Sequence, residues 1–442
     1  MPRQKEVFDI FENKQEQERF IIIAIEQETG SSQKTDFLLD AEKNLDELEL
    51  LVDTSGAEVV GRLIQKRESA HPGHYLGKGK LEELKDLVRL SKADGVVADD
   101  ELSAAQHRNM AETLGVKIMD RTMIILDIFA SRAITAEGKT QVETAQLKYR
   151  MSRLSGLGLS LSRQGGGARG PGGGIGSRGP GEKKLETDRR HIRERLNQLS
   201  GELKEISSQR KVLRENRTKT GLPTVSMVGY TNAGKSTLMN ALTNAGVLVE
   251  DKLFATLDTT TRRAALPGTN GTEALFTDTV GFINKLPHHL IQAFRATLEE
   301  LDNADLLLHV VDASNPGRDE QITVVNQTLE QLGYGQKPII VVFNKSDLDV
   351  KFPLPLARNA VNTVSVSAKT GDGLDTLGKV IEDALQTMRG KIAVLLPYGE
   401  GRLISLIHER CDIIQEKHRE NGTYIEAFAD AEVQNRVKDY IC

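Results

Sequence analysis

Short apolar runs rich in β-branched residues alternate with charged, amphipathic stretches from Phe20 to about Ala136. The runs have the length of strands, and the stretches between them repeat their apolar residues at helical spacing. The predicted strands are Ile21–Ile25, Val59–Ile64, Gly95–Ala98 and Val116–Met119. The predicted helices are Asp46–Leu51, Leu81–Leu90 and Ser103–Leu114. This alternation predicts a small α/β domain over residues 1–140.

Over residues 141–220 the apolar pattern becomes that of paired helices. Leu147, Met151 and Leu154 recur at i, i+4 and i+7, which predicts one amphipathic helix. A second helix is predicted from a heptad seam: Leu185, Ile192, Leu196, Leu199, Leu203, Ile206 and Leu213. Two amphipathic helices joined by one connection are predicted to form an antiparallel hairpin, in which each helix covers the apolar stripe of the other. The seam could instead join two copies of the chain; we expect the intramolecular pairing and a monomer.

The predicted connection between these helices, residues 156–181, holds twelve glycines in 26 residues. Such a segment is costly to order in isolation. No acid occurs from Thr144 to Gly181, and residues 148–220 carry 18 Lys/Arg against 7 Asp/Glu, a net charge of +11. The basic side chains of this acid-free run include Arg153, Arg163, Arg169 and Arg178. It is therefore a local basic patch, unless it is only a solvated linker.

Strand-sized runs return over residues 221–390, again with helices between them. They are Thr224–Val228, Thr272–Thr277, Leu306–Val311, Pro338–Phe343 and Val361–Val366. This pattern predicts a doubly wound sheet. In a tail over 391–442, the apolar runs Val394–Leu396 and Tyr424–Phe428 flank a helical stretch, Ser405–Lys417. That tail is predicted to be a small βαβ-like appendage of α+β type.

Composition narrows the class of protein. The 442 residues carry a net charge of −5, so no charge excess of the whole chain points to nucleic acid or membrane. The two cysteines, Cys411 and Cys442, exclude a disulfide scaffold and a cysteine zinc site, and fit a reducing compartment. No apolar run approaches the ~20 residues that span a bilayer, and the first residues lack a signal-peptide core. We expect a cytoplasmic protein without a transmembrane segment.

One glycine-rich octapeptide fits the phosphate-loop pattern GxxxxGK[ST], and it stands between a predicted strand and the helical stretch Thr237–Thr243. Its residues are Gly229, Tyr230, Thr231, Asn232, Ala233, Gly234, Lys235 and Ser236. Its glycines let backbone amides curl around phosphates at a helix N-terminus. Lys235 is expected to reach the β- and γ-phosphates, and Ser236 to bind Mg²⁺. The alternative, a chance glycine turn, is weakened by this context.

A tetrapeptide after the strongest apolar run selects the base. It consists of Asn344, Lys345, Ser346 and Asp347. A carboxylate here accepts hydrogen bonds from guanine N1–H and the exocyclic amine, whereas adenine presents an acceptor at N1. The nucleotide is therefore predicted to be GTP or GDP. Alone the tetrapeptide would be a weak signal, but Asp278–Gly281 precede it and Ser367–Lys369 follow it in order.

These spacings resemble the P-loop GTPases. The resemblance implies that Asp278 holds Mg²⁺ through water, that Gly281 senses the γ-phosphate, and that Ser367, Ala368 and Lys369 close over the base. Thr279 and Val280 lie in the same motif. The implied switch segment is Phe254, Ala255, Thr256, Leu257 and Asp258. Thr256 matches the threonine that binds Mg²⁺ and γ-phosphate; Thr259, Thr260 and Thr261 are alternatives nearby.

The catalytic group stays unassigned. Phe282 follows Gly281 at the position where Ras-like proteins have a water-orienting Gln, so intrinsic GTP hydrolysis is expected to be slow. Asn232 resembles the asparagine through which some GTPases recruit potassium; the alternative is an amide that only braces the loop. The expected cofactors are Mg²⁺ and, on the first reading of Asn232, K⁺.

Longer stretches resemble the HflX family, in the Obg–HflX group of the TRAFAC class. They are Tyr75–Lys80, Asp120–Thr122, Gln141–Glu143, Ala145–Leu147, Gly176–Glu182, Leu185–Glu186, Asp188–Arg190 and Asp278–Glu300. The resemblance implies a ribosome-associated GTPase that binds the large subunit and splits or rescues 70S particles under stress. Arg153, Arg163, Arg169 and Arg178 would then neutralise rRNA phosphates. No DNA partner is expected.

Three other functions stay open at the level of sequence. The first is a GTPase of large-subunit assembly that leaves mature 70S particles intact. The second is a protein-directed signalling switch with the glycine-rich segment as a tether. The third is an N-terminal ATP site, for which Gly77-Lys78-Gly79-Lys80 is too short to form a phosphate loop.

Overall fold

The computed structural model of the chain describes residues 17–27, 41–164, 180–218, 222–243, 252–287, 290, 299–348, 360–388, 390–429 and 431–442. Two compact units are distinguished: residues 1–128 with 153–173, and residues 129–152 with 174–442. None of the helices in the described ranges carries the long apolar run that crossing a bilayer requires. The boundaries of the four predicted domains stay predictions.

The N-terminal unit contains a parallel sheet of four strands in the order β2-β1-β3-β4. The strands are β1 (Arg19–Gln27), β2 (Glu58–Arg67), β3 (Gly95–Ala98) and β4 (Lys117–Asp120). The helices that connect them are α1 (Ala41–Thr54), α2 (Lys78–Ser91) and α3 (Ala104–Leu114). Ser103 starts α3 with a reciprocal capping box to Gln106. The predicted α/β class of this part is confirmed.

Two long helices form the predicted hairpin stem. They are α5 (Ala136–Gln164) and α6 (Pro180–Thr218), preceded by a helix that the sequence did not predict, α4 (Arg121–Arg132). Ion pairs join Glu143 to Arg195 at 2.7 Å and Glu137 to Arg210 at 2.7 Å, so α5 and α6 pair within one chain. Among the seam side chains that the structure describes, Leu199 is fully buried and the other four, Ile192, Leu196, Leu203 and Ile206, are half-buried.

The glycine-rich connection is shorter than predicted, because α5 continues through Gly156 and Gly158 to Gln164. Single glycines cost roughly 1 kcal/mol each in a helix, which a long helix tolerates. At the other end α6 begins at Pro180, a residue suited to the first helical position because its missing N–H would lack a helical partner anyway. Residues 165–179 lie outside the described residues.

A mixed sheet of six strands follows, in the order β10-β9-β8-β5-β7-β6. Its strands are β5 (Thr224–Gly229), β6 (Thr260–Ala265), β7 (Glu273–Asp278), β8 (Leu306–Asp312), β9 (Ile339–Asn344) and β10 (Asn362–Ser365). Its helices are α7 (Lys235–Thr243), α8 (Arg318–Gln331) and α9 (Leu374–Met388), with a 3₁₀ turn at Glu299–Leu301. All neighbours are parallel except β6, an edge strand antiparallel to β7. The predicted doubly wound sheet is confirmed, with β6 added.

The tail is a three-stranded antiparallel sheet in the order β11-β13-β12. Its elements are β11 (Gly390–Leu396), α10 (Gly401–Arg410), β12 (Asp412–Arg419), β13 (Gly422–Ala429), α11 (Ala431–Arg436) and a 3₁₀ turn at Lys438–Tyr440. The helix predicted over Ser405–Lys417 is wrong beyond Arg410. Residues after that point pair with β13 across a two-residue turn, where Arg419 faces Gly422. The α+β character is as predicted.

Candidate functional site

Three predicted motifs begin at the ends of parallel strands. Gly229 ends β5, Asp278 ends β7 and Asn344 ends β9. Since β5, β7 and β9 run parallel, these ends meet at one edge of the sheet. Ligands of open α/β sheets bind beyond the carboxyl ends of the strands. The fold therefore gathers the motifs that the chain separates.

The phosphate loop takes a backbone path that requires glycine at two positions. Gly229 has φ 153° and Gly234 has φ 88°. A Cβ at Gly229 would lie 2.2 Å from the Val310 carbonyl oxygen, and one at Gly234 would lie 2.3 Å from Asn344 Nδ2. The loop then runs directly into α7, so its amides and the helix N-terminus can face an anion.

Lys235 lies at the start of α7 with only 7% of its surface exposed. Its Nζ donates to the carbonyl oxygens of Tyr230, at 2.8 Å, and Gly229, at 3.3 Å. Burial lowers the pKa of Lys235 to about 8, against the opposing effect of the Asp278 carboxylate. The loop thus holds a desolvated amine whose charged form gains from a phosphate.

Three oxygen-bearing side chains meet beside this lysine. The Ser236 hydroxyl donates to Asp278 Oδ2 at 2.7 Å and lies 2.8 Å from the Thr256 hydroxyl. The Thr256 hydroxyl lies 3.2 Å from the same Asp278 oxygen. Among the described residues, the buried Oδ1 of Asp278 has no hydrogen-bond partner. Burial raises the pKa of Asp278, with the nearby lysine opposing the shift.

An all-oxygen set with one unpartnered carboxylate oxygen suits Mg²⁺, which prefers such ligands and keeps several waters. Ser236 and Thr256 are the groups that could bind it directly, and Asp278 the group that could hold its water. Of the alternative threonines, Thr261 is placed elsewhere, 3.0 Å from Thr277 across β6 and β7. The structure thus brings Thr256 to the phosphate loop.

The base end of the site is built around Asn344, which is 2% exposed. Its amide donates to the carbonyl of Ala233 at 3.0 Å and accepts the Ala368 amide at 3.0 Å. Ser367 donates to Asp347 Oδ1 at 2.7 Å and lowers the pKa of that exposed carboxyl. The structure therefore places the Asp347 carboxylate, the predicted acceptor for guanine, on a loop held by Ser367.

The other residues of the two base-side motifs have supporting positions. Lys345 pairs with Asp312 at 2.7 Å, and the Ser346 amide donates to the Val366 carbonyl at 3.1 Å. Lys369 is exposed. These contacts brace the loops on which Asn344 and Asp347 stand.

The segment after Gly281 lies on the phosphate loop. The Phe282 amide donates to the Gly229 carbonyl at 3.0 Å, and the Thr231 amide donates to the Phe282 carbonyl at 2.8 Å. The Asn284 amide donates to the Tyr230 hydroxyl at 2.7 Å. The Phe282 side chain is buried and offers water no hydrogen bond, so the catalytic group remains unassigned.

A cavity joins the phosphate loop to the switch segment. The predicted residues that line it are Thr231, Asn232, Gly234, Lys235, Ser236, Phe254, Ala255, Thr256, Thr279 and Gly281. Thr237 and Lys252 also line it, although the sequence analysis did not single them out as site residues. Lys252 belongs to none of the sequence motifs. The feature that could have pointed to it as a site residue is its basic side chain, four positions before Thr256.

Not every predicted site residue faces this cavity. Leu257 and Val280 are buried side chains. The Asp258 carboxylate accepts hydrogen bonds from Ile134 and Thr135, before α5.

The four arginines predicted to bind rRNA are placed only in part. Arg153 donates to the fully buried Asp120 at 2.5 Å and is itself 16% exposed. Arg163 belongs to α5, but its side chain is not among those that the structure describes. Arg169 and Arg178 lie outside the described residues. Their binding to rRNA stays a prediction.

The segment considered for an ATP site lies at the start of α2. The Gly77 amide donates to Gln65 Oε1 at 2.8 Å, and Lys80 pairs with Glu83 at 2.9 Å. Both groups are therefore engaged within the fold.

Three family models match the chain in order. They are "GTP-binding GTPase N-terminal" over residues 42–130, "GTP-binding GTPase Middle Region" over 132–217 and "50S ribosome-binding GTPase" over 224–345. The chain is 50% identical over 425 residues to the GTPase HflX of Lacrimispora saccharolytica, covering 96% of each. It is 49% identical over 400 residues to the GTPase HflX of Caldanaerobacter subterraneus subsp. tengcongensis, covering 90% of each. The GTPase HflX of Alkalihalophilus pseudofirmus is 45% identical over 380 residues, covering 86% of this chain and 87% of that one.

Proposed function

The chain belongs to the HflX family of GTPases, and we propose that it couples a GTP cycle to the large ribosomal subunit, splitting or rescuing 70S ribosomes under stress. GTP hydrolysis would reset the cycle, and the work would take place in the cytoplasm, with the ribosomes. The observation that carries the proposal is the meeting of Ser236, Thr256 and Asp278. These contacts place the switch segment, which would sense the γ-phosphate through Thr256, against Ser236 of the phosphate loop.

Mg²⁺, when bound, would neutralise charge on the β- and γ-phosphates. Ser236 and Thr256 would hold it, and Lys235 would bind the same phosphates from the loop. Thr256→Ala removes a ligand that only the triphosphate state uses, so the affinity for a non-hydrolysable GTP analogue should fall while GDP affinity stays. Thr256→Ser keeps the hydroxyl and serves as the control. Equal losses for both nucleotides would contradict this role.

The ribosomal part of the proposal is supported by the hairpin. Its stem is fastened by the pairs Glu143–Arg195 and Glu137–Arg210, and residues 129–152 belong to the same compact unit as the GTPase sheet. The run from 144 to 181 is acid-free and basic, as a segment that contacts RNA phosphates would be. The match of residues 224–345 to a "50S ribosome-binding GTPase" model points to the large subunit.

Sedimentation of purified 70S ribosomes tests the proposal. With the protein and a GTP analogue, 70S should convert to free subunits with the protein on the large one; with GDP it should not. Intact 70S with protein bound only to isolated large subunits would favour an assembly factor. No binding to either would favour a protein-directed switch.

A charge-matched pair of triple variants tests whether the arginines of the glycine-rich segment 156–181 contact RNA. The triple variant Arg163→Ala, Arg169→Ala and Arg178→Ala should bind ribosomes more weakly and with a smaller salt dependence. The control removes three exposed charges elsewhere, through Lys66→Ala, Arg89→Ala and Lys379→Ala. If the two triple variants bind ribosomes equally well, these three arginines do not contact RNA.

Because Phe282 cannot orient water, hydrolysis by the isolated protein should be slow and depend on help from outside. Asn232 is exposed at the cavity in a left-handed conformation, φ 60°, where it could share a potassium ion with the phosphates. GTPase rates in potassium and sodium buffers test this; equal rates would leave Asn232 as a bracing amide.

A further inference from the structure

The switch segment that carries Thr256 is anchored on both sides of that residue. Before it, the buried Phe254 ring packs edge-on against Phe129, with ring centroids 4.7 Å apart at 76°. After it, Asp258 contacts the residues that lead into α5. All these residues fall within one compact unit of the chain. Thr256 is thus bracketed by two contacts to the α4–α5 junction.

The contact of Asp258 uses both carboxylate oxygens. Oδ2 accepts the backbone amides of Ile134 and Thr135, each at 3.0 Å. Oδ1 accepts the Thr135 hydroxyl at 2.5 Å. That hydroxyl oxygen in turn accepts the Gly138 amide at 3.0 Å, so Thr135 caps α5 while holding Asp258. The carboxylate also lies where the partial positive charge of the helix is concentrated.

Gly138, in the first turn of α5, lies close to this contact. A Cβ on Gly138 would lie 2.6 Å from Asp258 Oδ1. On the other side of Thr256, Phe254 has φ 53°, a conformation that a bulky residue holds only when its surroundings enforce it. The junction therefore holds the switch segment in one specific backbone path.

We propose that Asp258 and Thr135 form a latch that joins the position of Thr256 to the start of α5. Asp258 acts as a positioning residue: closed, the latch keeps Thr256 against Ser236 and Asp278, and the triphosphate in turn favours the closed latch. Linkage of this kind is reciprocal, so anything that holds α5 in its latched position also raises GTP affinity. The proposal concerns the GTPase cycle and is independent of the ribosomal role.

Gly138→Ala tests the latch from the helix side, away from the nucleotide, because its Cβ would lie 2.6 Å from Asp258 Oδ1 and 3.2 Å from the Thr135 hydroxyl oxygen. Its methyl group should displace Asp258, and we expect the Kd of a non-hydrolysable GTP analogue to rise about tenfold, the loss of one hydrogen bond to a charged group. The Kd of GDP should change less than twofold. Gly201→Ala in α6 is the matched control, because a Cβ there meets nothing within 4 Å.

A second set of variants removes the hydroxyl contact itself. Thr135→Val should reproduce the selective loss of GTP affinity, Thr135→Ser should restore it, and Thr135→Val should add little in an Asp258→Asn background. If GTP and GDP affinities fall together along with the melting temperature, the contact is only structural and the latch is refuted. Unchanged affinities in Gly138→Ala refute it as well.

Hydrogen exchange provides a readout that a purely structural role would not move. The Ile134 and Thr135 amides should exchange more slowly with the GTP analogue than with GDP in the unaltered protein. In Gly138→Ala that difference should vanish. Identical exchange of these two amides in both nucleotide states of the unaltered protein would overturn the proposal.

Discussion

The Nδ2 atom of Asn344 donates a hydrogen bond of 3.0 Å to the carbonyl oxygen of Ala233. One buried amide therefore ties the guanine motif to the phosphate loop, and its Oδ1 ties the same motif to Ala368. The two ends of the nucleotide site are thereby joined through one side chain.

Asn344→Ala should disrupt both ends at once. It leaves the Ala233 carbonyl and the Ala368 amide without their partner, which costs about 1–3 kcal/mol of unfolding free energy. GTP and GDP affinities should fall together, by about tenfold or more, because neither loop is then fixed. Denaturant unfolding and nucleotide titration measure the two effects. Asn362→Ala, an exposed asparagine on β10, is the control and should change neither.

Asp347→Asn should change the base preference and leave stability nearly unaltered. The Asp347 carboxylate is exposed, so its replacement costs the fold little. Guanine would lose the acceptor for its N1–H and amine, whereas xanthine offers a C2 carbonyl to the new amide donor. GTP affinity should fall by about 100-fold and XTP affinity should rise. A variant that still prefers GTP would contradict the assignment of Asp347.

Nucleotide affinity should depend on pH through Lys235. Burial lowers the pKa of this lysine to about 8. Bound phosphate favours the charged form, so above pH 8 binding must take up a proton. Affinity should then fall by up to about tenfold per pH unit. Calorimetry in buffers of different ionisation enthalpy measures the proton uptake. In Lys235→Met that proton uptake should be lost. Any pH dependence of affinity that remains would come from ionisation of the guanine base.

The same lysine affects the stability of the nucleotide-free protein. Its folded pKa lies below the ordinary value of 10.5, so unfolding takes up a proton between pH 8 and 10.5. The free energy of unfolding from this group therefore rises with pH across that window, and the full cost of the buried charge is present below pH 8. A contribution that falls with pH there would contradict the burial of Lys235.

Arg153→Ala should destabilise the N-terminal unit. The fully buried Asp120 would lose its ion pair with Arg153, while the amides of Leu102, at 3.1 Å, and Met123, at 3.0 Å, still donate to it. Removing one partner of a buried ion pair costs about 3 kcal/mol. Arg150→Ala, an exposed neighbour, should cost little. Adding Asp120→Asn should recover part of the loss; no recovery would mean that the pair does not carry the stability.

Sequence patterns predicted well where local periodicity and burial agree. The predicted strand Gly95–Ala98 matches β3 to the residue because a buried parallel strand is a short, continuous apolar run. The edge strand β6 was missed because its half-exposed Thr and Arg residues lack such a run. α4 was missed because most of its residues are buried, which removes the amphipathic signal.

The sequence by itself determined most of the groups that gather at the nucleotide site, since the motifs that begin at Gly229, Asp278 and Asn344 each follow a predicted strand. The switch segment with Thr256 follows no predicted strand and was implied only by a resemblance. Only the tertiary structure decided which partner each charged side chain binds. Arg153 reads as part of a basic run, yet its guanidinium is paired with a carboxylate 33 positions away. Asp258 reads as part of the switch, yet it binds Thr135 at a separation of 123 positions. Such pairings depend on how elements pack, and no local pattern of residues encodes them.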